Sequence, residues 1–444
     1  MLSVLSNRTY RHLLAAQVVA LVGTGLATVA LGLLAYELAE GAAGAVLGTA
    51  LAIKMVAYVG VAPVVGAFAD RLPRRAFLVG MDLVRAAVAL ALPFVDQIWQ
   101  IYVLIFVLQS ASAAFTPTFQ ATIPDVLPDE ADYTRALSLS RLAYDLESLL
   151  SPMLAAALLS VISFHWLFSG TAVGFVASAL LVITAVLPRP APATLPRSGG
   201  VYARTTRGLR IFLAKPRLRG MLAVTLAAAA ASATVIVNTV VIVRGSLGRS
   251  ASDVALALAA YGAGSILAAL ALPRVLERID DRRLMLGASA ALTLSLAVMT
   301  GVTAALGATS GYWPLLLAGW FFLGLSYSCA VTPTGRLLRR SAHPSDRPAL
   351  FAAQFALSHL CWLIAYPLVG WLGASAGVGA SFAAMSLLAA VGLIAAIALW
   401  PRRDPEAISH RHDDLDKDHP HLREHEAGHS HPYVIDSLHE RWPA

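Results

Sequence analysis

The chain has 444 residues, of which 58% are hydrophobic and only 13% charged, with a mean hydropathy of +0.69. That composition excludes a water-soluble globule of this size. The formal charge of +7 is split: residues 404–444 hold ten acids against four bases, a net −6, which leaves about +13 on the remainder. Basic excess beside apolar segments reads as one-sided membrane topology, so nucleic-acid binding is not implied.

Apolar runs of about 20 residues recur along the chain, each long enough to cross a hydrocarbon core of about 30 Å at ~1.5 Å per residue. Twelve membrane helices are predicted, at 12–38, 44–69, 76–95, 100–122, 136–162 and 164–187, then 220–243, 253–275, 284–306, 312–333, 349–373 and 378–400. The first follows Arg8, Arg11 and His12 and continues to about Leu38 without a small-residue cleavage site, so it reads as a retained helix. Between helices 2 and 3 lies GAFADRLPRR, in which Gly66 and Ala67 permit close helix approach, Asp70 ends a helix, and Arg71, Arg74 and Arg75 follow. A Pro/Arg-rich linker occupies 188–219 and carries Arg189, Arg197, Arg204, Arg207, Arg210, Lys215, Arg217 and Arg219. Further basic turns span 274–283 and 336–347, whereas turns on the other side contain only Arg244 and Arg249. The Lys and Arg distribution therefore puts both termini in the cytoplasm. PDVLPDEADYTR, Pro124 to Arg135, is the exception, and its acids carry little topogenic weight.

The two halves echo each other. FTPT at 115–118 matches VTPT at 331–334, and the following helices carry Ser151-Pro152 and Tyr366-Pro367, at intervals of 35 and 34 residues. Two matches in register around a central linker indicate parallel six-helix repeats, at 1–187 and 220–400, with substrate held between them near mid-membrane. Prolines within helices 2, 4, 5, 10 and 11 remove backbone hydrogen bonds and allow bends, either for a transport cycle or simply as ordinary membrane-helix prolines.

Ionisable groups inside a membrane cost roughly 2.5–3.5 kcal/mol each on insertion scales, so each calls for a reason. Here they are Lys54, Asp82, Arg85, Arg141, Asp145, Glu147 and His359. Asp82 and Arg85 are three apart, and Arg141 and Asp145 four apart, so each pair shares a helix face and neutralises locally as a structural pair. Lys54 and Glu147 lack a partner in their own helices; they are expected either to pair across helices 2 and 5, or to leave Glu147 titrating during a cycle, or to snorkel. His359, near Gln354 and Trp362, reads as a hydrogen-bonded core histidine, with a proton relay as the sharper alternative. Cys329 and Cys361 lie in apolar surroundings and read as inert.

Beyond Trp400 the character changes to a polar segment, 401–444, holding His410, His412, His419, His421, His425, His429, His431 and His439. It is too polar to bury a core and is expected to be disordered. Three His-x-His pairs among aspartates suit a divalent transition metal such as nickel, cobalt, zinc or copper, although a merely solvated end explains them too.

The spacing Gly-x-x-x-Asp-Arg-x-x-Arg-Arg at 66–75 resembles the loop signature of the major facilitator superfamily, with Pro73 where a glycine is usual. The resemblance implies that fold, and it implies that Asp70 anchors an interhelix charge cluster stabilising an outward-facing state. SLLSPMLAA resembles the glycine-proline motif of the family's exporters, with Ser151, Pro152, Ala155 and Ala156 as the close-packing positions and Ser151, Ala155 and Ala156 where glycines are usual. Helix 4 lacks the arginine that proton-coupled drug exporters carry, and Gln109 is the nearest polar candidate. NRTYRHLLAAQ, Asp82-x-x-Arg85 and Ile123-Pro124-Asp125 resemble the branch of macrolide and siderophore efflux proteins, and the tail resembles those of nickel-resistance members.

The expected protein is an all-α membrane protein of twelve helices, a multi-pass monomer of the plasma (inner) membrane. It reads as a secondary transporter whose substrate is either a small molecule or a divalent metal, and the direction as efflux. Drive comes from protons or another coupling ion, since Gly-x-x-x-x-Gly-Lys-[Ser/Thr] is absent from the sequence. No cofactor is expected to be required, and the tail offers ligands for a divalent transition metal. A sensor built on a transporter scaffold is the alternative class; an enzyme is not expected, because no nucleophile–base constellation is present.

Overall fold

A computed structural model describes residues 2–39, 43–66, 73–188, 205–307, 309, 311–403, 407–411, 428–433, 439 and 442. The first half comprises α1 (Arg8–Ala39), α2 (Ala43–Gly66), α3 (Arg74–Ala91), α4 (Ile98–Val126), α5 (Glu130–Leu159) and α6 (His165–Thr184). The second comprises a short α7 (Arg207–Ala214), α8 (Pro216–Val240) with a π-helical extension at Val241–Ser246, α9 (Ala251–Val275), α10 (Asp281–Leu306), α11 (Tyr312–Val331), α12 (Thr334–Ser341) and α13 (Arg347–Leu399). Gly377, at φ +86°, breaks α13 into two limbs, where only glycine is comfortable. That break matches the gap expected between 373 and 378; among the described residues nine helices, the two limbs of α13 counted as one, are long and apolar enough to cross a membrane.

Several boundaries differ from expectation for identifiable reasons. α5 starts at Glu130 rather than near 136, because Asp129 caps it by accepting from the Asp132 amide at 2.9 Å. The linker expected at 188–219 contains α7, whose Gly208, Ile211 and Phe212 are buried, and it ends at Pro216, which opens α8. Helix 10 continues past the VTPT segment as α12, with Pro333 interrupting the hydrogen-bond ladder between them.

The repeats are visible in the packing. α1 lies on α6 and α2 on α4 in the first half, as α8 lies on α13 and α9 on α11 in the second. At the α9–α11 crossing a Cβ on Gly264 would overlap the Phe321 carbonyl, and one on Gly324 the Tyr261 carbonyl, so the backbones meet directly. The exterior carries fully apolar side chains such as Leu294, Ile394 and Ile397, each more than half exposed, a surface that a bilayer covers.

The tail departs from the expected disorder within its described residues. Two strands, β1 (Ala407–Arg411) and β2 (Gly428–Pro432), pair antiparallel, with His410 opposite His429 and Ile408 opposite His431. After β2 the chain docks on the second half: Lys215, fully buried, donates from Nζ to the Tyr433 carbonyl at 2.9 Å. The Tyr433 ring sits 4.7 Å from His439 and 5.4 Å from Trp442, and the Trp442 ring faces Lys215 at 5.2 Å and Arg217 at 5.4 Å. Aromatic surface and cation–π attraction supply what composition alone did not promise.

Candidate functional site: the interface between the halves

The turns rich in arginine gather at one end of the bundle, here called the basic end. There the two halves are joined by ion pairs. Asp125, at the end of α4, takes Arg74 of its own half at 2.5 Å and Arg347 of the other half at 2.8 Å. Arg336 on α12 reaches Glu130 at 2.7 Å and donates to Thr134 Oγ1 at 2.6 Å, both on α5, while pairing with Asp281 at 3.1 Å. Arg340 also binds Asp281, and Arg339 donates to the Pro128 carbonyl. Arg207 of α7 grips Asp346 through two bonds, 2.7 and 2.8 Å. Beneath this network Gly335 lies so close to α5 that a Cβ there would come 2.6 Å from Tyr133 Oη and 2.7 Å from Leu137.

Two acids of the 124–135 turn, Asp125 and Glu130, read from the sequence as part of an exception of little weight, thus supply counter-charges to the network beside Asp281 and Asp346 of the second half. Asp125, Glu130, Asp281 and Asp346 were not foreseen as site residues. For Asp125 and Glu130 the available signal is an acidic turn on the face where every other turn is basic. Of the sequence motif at 66–75, Asp70 and Arg71 lie outside the described residues and Gly66 closes α2; Arg74 holds Asp125, and Arg75 donates to the Ala185 carbonyl at 2.7 Å.

A second cross-half contact lies deeper. Arg141 and Asp145 pair on α5 as their spacing predicts, but they also reach α9: Ser265 Oγ donates to Asp145 Oδ2 at 2.6 Å, and Arg141 Nε lies 3.2 Å from the same hydroxyl. The Arg141 guanidinium stands 4.9 Å from the Tyr327 ring of α11. The local pair is therefore also an interhalf contact, a role that a single-helix reading cannot supply.

Asp82 and Arg85 pair wholly within the first half. Asp82 accepts from Ser178 Oγ at 2.8 Å, and Arg85 is sandwiched 4.2 Å from Phe115 and 4.5 Å from Phe175.

Lys54 and Glu147 do not form the direct ion pair that was one expectation: no contact within 4.0 Å joins them among the described residues. Lys54 Nζ lies 5.5 Å from the Tyr58 ring, whereas Glu147 faces α1, where a Cβ on Gly25 would come 2.7 Å from Glu147 Oε1 and overlap Ser151. The two groups nevertheless stay within electrostatic reach of each other. Ser151 and Ala155 are buried, and the side chains of Pro152 and Ala156 lie outside the description. His359 Nδ1 lies 2.7 Å from the Phe355 carbonyl, and its ring meets Tyr58 of the other half edge-on at 4.6 Å. Gln109 is half-buried on α4. Among the tail histidines, His410, His429 and His431 occupy strand positions, and His412, His419, His421 and His425 lie outside the described residues.

Two parallel six-helix repeats meeting across a charged interface define an integral membrane protein of the two-repeat transporter architecture. The sequence matches the family model described as Major Facilitator Superfamily over residues 13–245 and 221–424, and the chain belongs to that family. It is 30% identical over 129 residues to the uncharacterised MFS-type transporter YfiS of Bacillus subtilis, spanning 29% of this chain and 30% of that one. Macrolide efflux protein A of Enterococcus faecalis is 25% identical over 153 residues, 32% of this chain and 47% of that protein. The matches cover less than half the length of either relative. In fold the chain is similar to the human organic anion transporter MFSD10 (TM-score 0.72, 15% identity, 88% of this chain and 99% of that one). It is equally similar to a bacterial homologue of the iron transporter ferroportin in the outward-facing state (TM-score 0.73, 13% identity, 88% and 99%).

Proposed function

We propose that the protein is a secondary active transporter that exports a small molecule or a divalent metal by alternating access between its two halves. The observation that carries this reading is the double set of cross-half contacts, Asp125 with Arg347 and Asp145 with Ser265, placed between rigid repeats. Such contacts close one end of a pathway and break when the halves rock. The distribution of Lys and Arg supports placing the basic end in the cytoplasm of a plasma (inner) membrane, with both termini there. The state described is then closed to the cytoplasm. Similarity to macrolide efflux proteins supports export, and protons are the proposed coupling ion.

The substrate is an amphipathic organic compound or a divalent metal, and the tail favours the metal. Its imidazoles, tethered beside the bundle, raise local metal concentration at the inner mouth. Growth of deletion and overexpressing strains against a panel of metals and drugs selects the substrate. Flux of that compound into inverted vesicles under an imposed pH gradient then tests transport. Accumulation that collapses with the gradient is expected; binding without flux would make the protein a sensor.

A further inference from the structure

Lys54 stands eleven residues from the start of α2 and twelve from its end. At ~1.5 Å per residue that is roughly 17 Å from either end, too far for a lysine stem to carry its amine to water along the lipid face. The side chain turns toward the other half instead. Nζ lies 5.5 Å from the Tyr58 ring, and that ring packs on α13, 4.8 Å from Phe355 and edge-on to His359 at 4.6 Å. Trp362 continues the same face of α13, 6.1 Å from the His359 ring. Ala62, Ala113 and Ala352, all buried, pack with Tyr58 and Phe355, and Ala62 and Ala352 lie nearer the basic end than Lys54 and His359 do. Two polar atoms in this cluster lack a partner. The amine has three N–H donors, and among the described residues no acceptor takes any of them. Glu147 and His359 are in electrostatic reach of it without forming an ion pair. His359 meets the Phe355 carbonyl through Nδ1; a carbonyl only accepts, so Nδ1 carries a hydrogen, and Nε2 has no hydrogen-bond partner among the described residues.

We propose that Lys54, Tyr58, His359 and Trp362 form the binding site for an organic anion, a flat apolar body bearing a carboxylate or comparable acidic group, and that such an anion is what the protein carries. The acidic group supplies the acceptors that Lys54 lacks, and a charge-assisted bond formed among apolar helices is stronger than the same bond in water. The rings of Tyr58 and Trp362 offer flat apolar surface to the body of the anion. Nε2 of His359 adds one hydrogen bond, which favours a polar substituent. Two of the four residues come from each half, so the anion joins the halves where they meet. Lys54 repels a free divalent cation, and a metal shares this site only as the complex of an organic anion. This inference rests on the transporter reading and narrows its substrate.

The test uses the full chain in lipid nanodiscs and three probes of one shape, 2-naphthoate, 2-naphthamide and 2-naphthylmethylamine, with binding read by equilibrium dialysis against empty nanodiscs. Wild type is expected to bind the acid about tenfold more tightly than the amide or the amine. Lys54→Met should level the three affinities. Lys54→Cys, in a chain with Cys329→Ala and Cys361→Ala, should level them too. Treatment with 2-aminoethyl methanethiosulfonate, which rebuilds an ammonium at that position, should then restore the preference, and methyl methanethiosulfonate should not. That rescue carries the test should Lys54→Met fail to fold. Equal binding of the three probes by wild type, no binding of the acid, or a preference for the acid kept by Lys54→Met or by unmodified Lys54→Cys overturns the proposal. Alternating access is read separately, from nitroxide labels at Ala131→Cys and Glu277→Cys in the chain without native cysteines; both positions line one small cleft between the halves at the basic end. A short and a longer distance between the labels are expected. A single short distance under all conditions, beside acid binding that depends on Lys54, overturns alternating access and leaves the site standing. Export of a free cation that Lys54→Met leaves unchanged overturns the site and leaves transport standing.

Discussion

Asp82 with Arg85 and Arg141 with Asp145 are alike in sequence: an acid and an arginine one helical turn apart in an apolar helix. Their surroundings make them different devices. The first pair is closed in by Ser178, Phe115 and Phe175, all of the same half. The second meets Ser265 and Tyr327, both of the other half. Spacing decides that two charges neutralise each other; the helix packed against them decides whether they rivet one rigid body or latch two together.

The largest effect should come from breaking the rivet. Asp82→Ala leaves Arg85 buried without its counter-charge, at a cost of about 3–5 kcal/mol, and the protein should lose its monodisperse peak in detergent gel filtration. Asp82→Leu with Arg85→Met removes both charges and should restore the peak, as the latch pair has no part in holding this half together. Gly335→Val acts on the other side of the comparison. The added carbons collide with Tyr133 and Leu137 across the interface, so folding should survive while closure at the basic end fails. The longer distance between labels at positions 131 and 277 should then dominate.

A milder change is Asp125→Asn, which weakens the hold on Arg74 and Arg347 together. Hydrogen bonds to charged groups contribute about 1.5–3 kcal/mol each; the expected outcome is at least a tenfold shift toward the longer distance, with a small loss of thermal stability in the first half, where Arg74 lies, and none in the second. Smallest of all is truncation after Arg403. It uncovers Lys215 and removes the Trp442 ring from two cations, contacts worth about 0.5–2 kcal/mol each. Melting should fall by a few degrees while the label distances stay unchanged, because the tail's described contacts lie within the second half. The same truncation should abolish calorimetric binding of nickel at pH 7.5 if the tail histidines are the metal site, and binding by the full chain should weaken below about pH 6.5 as imidazoles protonate.

Much of the architecture was legible because a bilayer imposes length and apolarity on each crossing segment. Even the Gly377 break was visible as a gap between two runs. The short amphipathic α7 was hidden because its arginines dominate composition, while its buried Ile211 and Phe212 declare themselves only against α13. The candidate site was legible in parts. Arg141, Asp145 and Arg74 stood out as charges in or beside membrane helices, yet their partners lie on segments more than 50 residues away, and helical spacing carries no information about them. Ser265 is an ordinary serine in an apolar run. Asp125 and Glu130 were visible as acids out of keeping with their side of the membrane, and charge counting discounts such acids because they do not set topology. Their work is to hold arginines across an interface, which a topology rule does not read.

The central claim, that the first pair belongs to a rigid half and the second to a moving interface, is tested most directly by hydrogen–deuterium exchange of the full chain in nanodiscs, comparing wild type with Asp125→Asn. Peptides covering 128–137 and 334–341 should exchange faster in the variant, while peptides covering 82–89 and 171–179, around Asp82, Arg85 and Ser178, should keep wild-type protection. Equal acceleration in all four segments, or none in any, would contradict the account.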